Sequence, residues 1–136
     1  MIADTSALVA VLRREDGHGP ILDALLAEAG LIPAPVPVGF ARVAAGPGNA
    51  PDREAAALVA ALLDGRAAVL PFGAAAARHA AEANEAHGRG DGRCGALDVL
   101  DLMVLGCARA AGRAILCTSR DFAAAGAALH PASRPW

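Results

Sequence analysis

Lysine is absent from this 136-residue chain, and all 12 basic residues are arginine. Without lysine there is no G-x-x-x-x-G-K phosphate loop, and no late-strand lysine of the kind that phospho-receiver domains use. Tyrosine is absent too, and the remaining aromatics are Phe40, Phe72, Phe122 and Trp136. That is too few for a base-stacking platform of the single-strand-binding type. The three cysteines, Cys94, Cys107 and Cys117, are odd in number and lack metal-ligand spacing, so reduced, buried thiols are expected. No apolar run approaches the roughly 18 residues of a membrane span. The first strand starts at once with no basic leader, so no signal peptide and a cytoplasmic location are expected. His18, His79, His87 and His130 are scattered, with no pair at ligand spacing, and no G-x-S-x-G elbow or dinucleotide fingerprint is present. The formal net charge of −2 announces no nucleic-acid partner by bulk charge.

What is present is an apolar, alanine-rich chain of one-domain size, with 55% hydrophobic and 19% charged residues. Such a chain can bury a core without staples, and alanine favours helix. "MIA" predicts a first strand and "TSALVAVLRR" a helix capped by Thr5 or Ser6. "ILDALLAEAG" predicts a second helix. "LIPAPV" suits a strand end or an edge strand, because proline removes a ladder donor. "PVGFARVAAG" is helical if Pro37 sits in the first turn. "PDREAAALVAALLDG" is a helix with proline and acids at its start and glycine at its end. "RAAVLPF" predicts a strand, "GAAAARHAAEANEAHG" a helix, and "RGDGRCG" a polar loop. "ALDVLDLMVLGCARAAG" predicts a long helix, "AILC" a strand, "RDFAAAGAA" a short helix and "LHPASRPW" an irregular end. Alternating strands and helices define an α/β class with a parallel sheet covered on both faces. A single domain over residues 1–136 is expected.

In open α/β sheets, sites form beyond the carboxyl ends of the strands. Asp4 ends the first predicted strand and Asp121 follows the last. Asp98 and Asp101 are three apart, so they share a face of their helix. Asp101, read as mid-helix among Leu100, Leu102 and Met103, has few ways to face water, which directs a carboxylate into a pocket. Each acid also has a plainer explanation as a cap or first-turn residue. Gathered carboxylates raise one another's pKa and resist burial, and a divalent cation with a preference for hard oxygen ligands resolves that conflict. Such a site activates water and stabilises phosphoryl charge. Ser6 has no nearby base and reads as a cap or a hydroxyl near bound water.

These residues resemble a known family. "MIADTSALVAVL" is similar to the opening of PIN-domain ribonucleases, above all the VapC-type toxins of bacterial toxin–antitoxin pairs. "LDLMVLGCARAAG" followed by "AILCTSRDF" resembles the second half of the same domain, and the likeness spans essentially the whole chain. It implies a three-layer α/β/α domain with a small, mainly parallel sheet. It implies an acidic Mg²⁺ or Mn²⁺ site that hydrolyses RNA phosphodiesters. Asp4, Asp101 and Asp121 match family acids, with Asp98 a further candidate ligand and Thr5, Ser6 and Ser119 in support. A homodimer and an inhibiting antitoxin partner are also implied.

The chain departs from that family at two places. Where members typically carry glutamate, in a stretch resembling "PVxVEFARV", this chain has "PVPVGFARV", with Gly39 at the acid's position. Ser119 stands where a further acid is common. Nearby Arg42 cannot replace a metal ligand, and glycine within a helix costs about 1 kcal/mol relative to alanine, with no packing reason visible in the sequence. Two readings stay open: a metal-dependent endoribonuclease toxin, and a non-cleaving PIN-fold module that binds RNA or an antitoxin. Phosphatase chemistry is disfavoured, because Ser6 occupies the second position of its D-x-D pattern. Substrate selection would rest on arginines at phosphates, with Arg89, Arg93 and Arg120 as candidates.

Overall fold

The computed structural model describes residues 1–28, 30–44, 53–88 and 96–135. The predicted loops "GPGNAP" and "RGDGRCG" lie outside them, and with them Cys94, Arg89 and Arg93. Elements alternate as expected: β1 (Ile2–Ala3), α1 (Thr5–Arg13), α2 (His18–Ala27), β2 (Leu31–Pro33), α3 (Pro35–Ala44) and α4 (Arg53–Ala61). A π-type turn at Leu62–Arg66 ends α4. Then come β3 (Ala68–Leu70), α5 (Ala74–His87), α6 (Val99–Ala111), β4 (Ile115–Leu116) and α7 (Arg120–Ala124).

The four strands form one sheet in the order β3-β2-β1-β4. Every pairing is parallel, with Ile2 opposite both Leu31 and Ile115, and Ile32 opposite Val69. Parallel neighbours need crossovers, which the helices supply. The central strand β1 is fully buried, as a strand covered on both faces must be, whereas the edge strand β3 leaves Val69 half exposed. Pro33 is the last residue of the internal strand β2, a strand-end position that removes no needed donor.

Three helix starts differ from expectation. Helix α3 starts at Pro35 rather than Pro37, and α2 at His18 rather than Ile21. Helix α6 starts at Val99 rather than Ala96, because the Asp98 side chain caps it. The C-terminal stretch is not ragged. The Ile115 amide donates to the Ala128 carbonyl (2.8 Å), the His130 amide to the Ile115 carbonyl (2.8 Å) and the Arg134 amide to the Cys117 carbonyl (3.0 Å). Residues 128–134 thereby cover the open edge of β4, where unpaired backbone groups would otherwise face outward. Buried Ser133 ties the segment down, its Oγ accepting from the Cys117 amide (3.2 Å) and donating to the Ile115 carbonyl (3.0 Å).

The core joins both helical layers to the sheet through Ile2, Leu8, Ile32, Leu105, Ile115 and Phe122, all essentially inaccessible to water. Helices α5 and α6 pack closely at Gly106, where a β-carbon would run into the Ala76 carbonyl. Cys107 and Cys117 are free and buried as expected, and burial pushes the Cys117 thiol up to about 12.

Candidate active site

Strand numbering runs outward from β1 to β2 and β3 on one side, while β4 lies on the other. The connections therefore diverge between β1 and β4, the position at which open α/β sheets form a crevice beyond their carboxyl ends. Asp4 follows β1 there, and Ser119 and Asp121 follow β4.

Asp4, not Thr5 or Ser6, is the N-cap of α1. Its extended backbone (φ −89°, ψ 161°) leaves Oδ2 to accept from the Ser6 amide (2.8 Å) and the Ser6 hydroxyl (2.6 Å). The Ser6 Oγ in turn accepts from the Thr118 amide (3.0 Å), so one hydroxyl joins the end of β1 to the end of β4. Asp4 is only 3% exposed. Burial raises its pKa, against the hydrogen bonds from Ser6, and the Asp98 charge adds to the rise.

Asp101 is not mid-helix. It is the third residue of α6, in a reciprocal capping box with Asp98. The Asp101 amide donates to Asp98 Oδ1 (2.9 Å), and the Asp98 amide donates to Asp101 Oδ2 (3.2 Å). The two acids are thus cap and first-turn partners at the helix start. The box does not relieve the electrostatics. Asp101 is pushed up to about 7, first by burial, then by the charges of Asp4, Asp98 and Asp121. The other three acids named from the sequence therefore lie within electrostatic reach of Asp101.

A pocket of about 560 Å³ opens over these groups, with Asp4, Asp98, Asp101 and Ser119 in its wall. Ser119 caps α7, its Oγ accepting from the Asp121 amide (3.2 Å). Asp121 is half-buried in the first turn of α7 and acts on the pocket through its charge rather than by lining it. Arg120 is exposed and does not line it.

Gly39 is buried in the pocket wall, and here the structure supplies the packing reason that the sequence did not show. A β-carbon at Gly39 would lie 2.8 Å from Thr5 Oγ1 and 3.4 Å from Leu100 Cδ1. Glycine lets α3 close onto Thr5, at the start of α1, and onto Leu100. The remaining wall was missed by sequence reasoning: Arg13 and Arg42 both line the pocket. A usable signal existed, since Thr5, Val9 and Arg13 recur every four residues and Arg42 is three residues beyond Gly39, each set sharing one helix face.

Among the described residues, no three His, Cys, Asp or Glu side chains converge closely enough to enclose a metal ion. The reason is local: Asp4 is turned to Ser6, and Asp98 and Asp101 are turned to each other's backbone. The donor chemistry nonetheless fits a hard divalent cation, because Asp101 sits among like charges that resist ionising together. Among the described residues, no helix is long and apolar enough to cross a membrane.

The PIN domain family matches residues 1–127, and the chain belongs to that family. The fold is shared with solved structures. VapC20 of Mycobacterium tuberculosis, a sarcin–ricin loop cleaving toxin, superposes with a TM-score of 0.68 at 22% identity over 93% of this chain and 95% of that one. FitAcB of Neisseria gonorrhoeae gives 0.65 at 19% identity, covering 96% of both chains. VapBC2 of Rickettsia felis, bound to a DNA fragment from their promoter, gives 0.63 at 14% identity, covering 94% of both. No curated protein sequence matches the chain.

Proposed function

We propose that this chain, as a single PIN domain over residues 1–136, is a metal-dependent endoribonuclease and the toxin of a VapC-type pair. The observation that carries the reading is three carboxylates, Asp4, Asp98 and Asp101, in one pocket wall at the sheet's carboxyl edge, with Asp4 buried and Asp101 pushed up to about 7 by burial and then by its neighbours' charges. Asp4 and Asp101 would hold Mg²⁺ or Mn²⁺, with Asp98 and Asp121 as further ligands. A divalent ion there supplies positive charge to a phosphoryl oxygen and acidifies water. Ser6 fixes the Asp4 carboxylate, and Thr5 and Ser119 supply hydroxyls at the pocket wall. RNA is the substrate, an antitoxin occupies the same pocket when the toxin is silenced, and the working form is a cytoplasmic homodimer. VapC20, a toxin that cleaves the sarcin–ricin loop, and the VapBC2 pair support this reading by analogy of fold.

A non-cleaving binding module is the second reading, favoured by Gly39, whose side-chain space is closed by Thr5. Incubation of the protein with a pool of structured RNAs separates the two. The nuclease reading expects cleavage with Mg²⁺ or Mn²⁺, none with chelator, and a loss in Asp4→Asn beyond the roughly 10–100-fold that outer-shell changes cost. Silence from the unaltered protein with cleavage by Gly39→Glu would establish the second reading.

A further inference from the structure

Arg13 and Arg42 come from different helices, α1 and α3, yet line the same pocket as Asp4 and Asp101. A metal-binding carboxylate cluster gains nothing from guanidinium groups, which cannot ligate a cation and compete for the acids. Two arginines facing one cleft suit an anion, and the planar guanidinium fork matches phosphate oxygens. The Arg13 side chain is 43% exposed, with Glu15 3.9 Å from its guanidinium, and Arg42 is exposed. Both heads are therefore accessible to a ligand entering the cleft.

Geometry separates the arginines from the acids. Thr5, Val9 and Arg13 form one stripe along α1, and at about 1.5 Å per residue Arg13 lies roughly 12 Å from Thr5. Helical side chains lean towards the N-terminus, so the Arg13 side chain leans back along α1 towards the acids. On α3, Arg42 lies roughly one turn beyond Gly39, where the helix touches Thr5. A strand whose phosphate faces Asp4 and Asp101 would thus lay a neighbouring phosphate between the two arginines.

We propose that Arg13 and Arg42 form a phosphate clamp that seats the RNA strand beside the carboxylates, independently of metal. The clamp's ligand class rests on the nuclease reading of the pocket. The contact is to backbone and carries no base preference, in keeping with the scarcity of aromatics.

The test is anisotropy of a labelled 12-nucleotide single-stranded RNA of mixed sequence, in chelator, over a salt series. It compares the unaltered protein, Arg13→Gln, Arg42→Gln, the double variant, and an Arg109→Gln/Arg113→Gln control at the other end of α6. The double variant is expected to bind at least about tenfold more weakly. Its log–log salt slope should fall by about 1.4, two phosphates at about 0.7 each for single strands, with each single variant giving half. The control should match the unaltered protein. An unchanged slope and affinity in the double variant, or no binding by the unaltered protein, overturns the clamp. Metal-dependent cleavage is scored alongside. Cleavage by the unaltered protein with arginine-independent binding sinks the clamp and leaves the nuclease reading standing. Arginine-dependent binding without cleavage does the reverse.

Discussion

Asp4 ends a strand, caps a helix and carries a carboxylate into a place closed to water, and Ser6 makes that combination tolerable. The Ser6 hydroxyl donates to Asp4 and accepts from the Thr118 amide. Ser6→Ala removes both bonds, taking the partner from the Thr118 amide while Asp4 keeps the bond from the Ser6 amide. The expected cost is about 1–3 kcal/mol, from the desolvation of the group left without its partner, measured by denaturant unfolding. Asp101 meets the same problem, a carboxyl raised to about 7 by burial and by neighbouring acids. Its folded form holds a proton that the unfolded chain releases near pH 4. Stability from this group is therefore full below about pH 4 and is lost as pH rises towards 7. Without divalent cation, the melting temperature should fall across that window, and Asp101→Asn should flatten the fall. An unchanged slope in the variant would show that Asp101 is not the group responsible.

At the scale of elements, glycine sets how closely helices meet. Gly39 admits α3 to Thr5 and Leu100. Gly39→Ala gains about 1 kcal/mol of helix propensity but forces Thr5 aside, at an overpacking cost of about 1–3 kcal/mol. A net loss of about 1 kcal/mol is expected, recovered when Thr5→Ala is added, and a double-mutant cycle on unfolding free energies reads the coupling. Additivity of the two substitutions would contradict the contact. The same elements show what the sequence could tell. Proline and glycine punctuation placed all four strands and seven helices in order. The start of α6 was misread because "ALDVLDLMV" is apolar throughout, and only the side-chain capping at Asp98 marks the boundary. The 128–134 segment has no periodicity to read, and its order comes from Ser133 and the β4 edge, sixteen or so residues away.

For the whole molecule, alternation of strand and helix in the sequence already implied the parallel sheet and the edge at which the acids gather. All four acids were legible because carboxylates at strand ends and helix starts stand out in an apolar chain. Arg13 and Arg42 were not, since a charge at a helix end reads equally well as solvated, and only the packing of α1 against α3 brings them to one cleft. Gly39 looked like a plain deficit until Thr5 was seen to fill the space beside it. The function proposed above requires these carboxylates, with glycine in the wall, to hold a divalent ion. Calorimetric titration with Mn²⁺ at pH 7.5 tests this directly on the unaltered protein, Asp4→Asn and Asp101→Asn. Saturable binding by the unaltered protein that is lost or strongly weakened in both variants is the predicted result. No binding by the unaltered protein, or equal binding by all three, would contradict it.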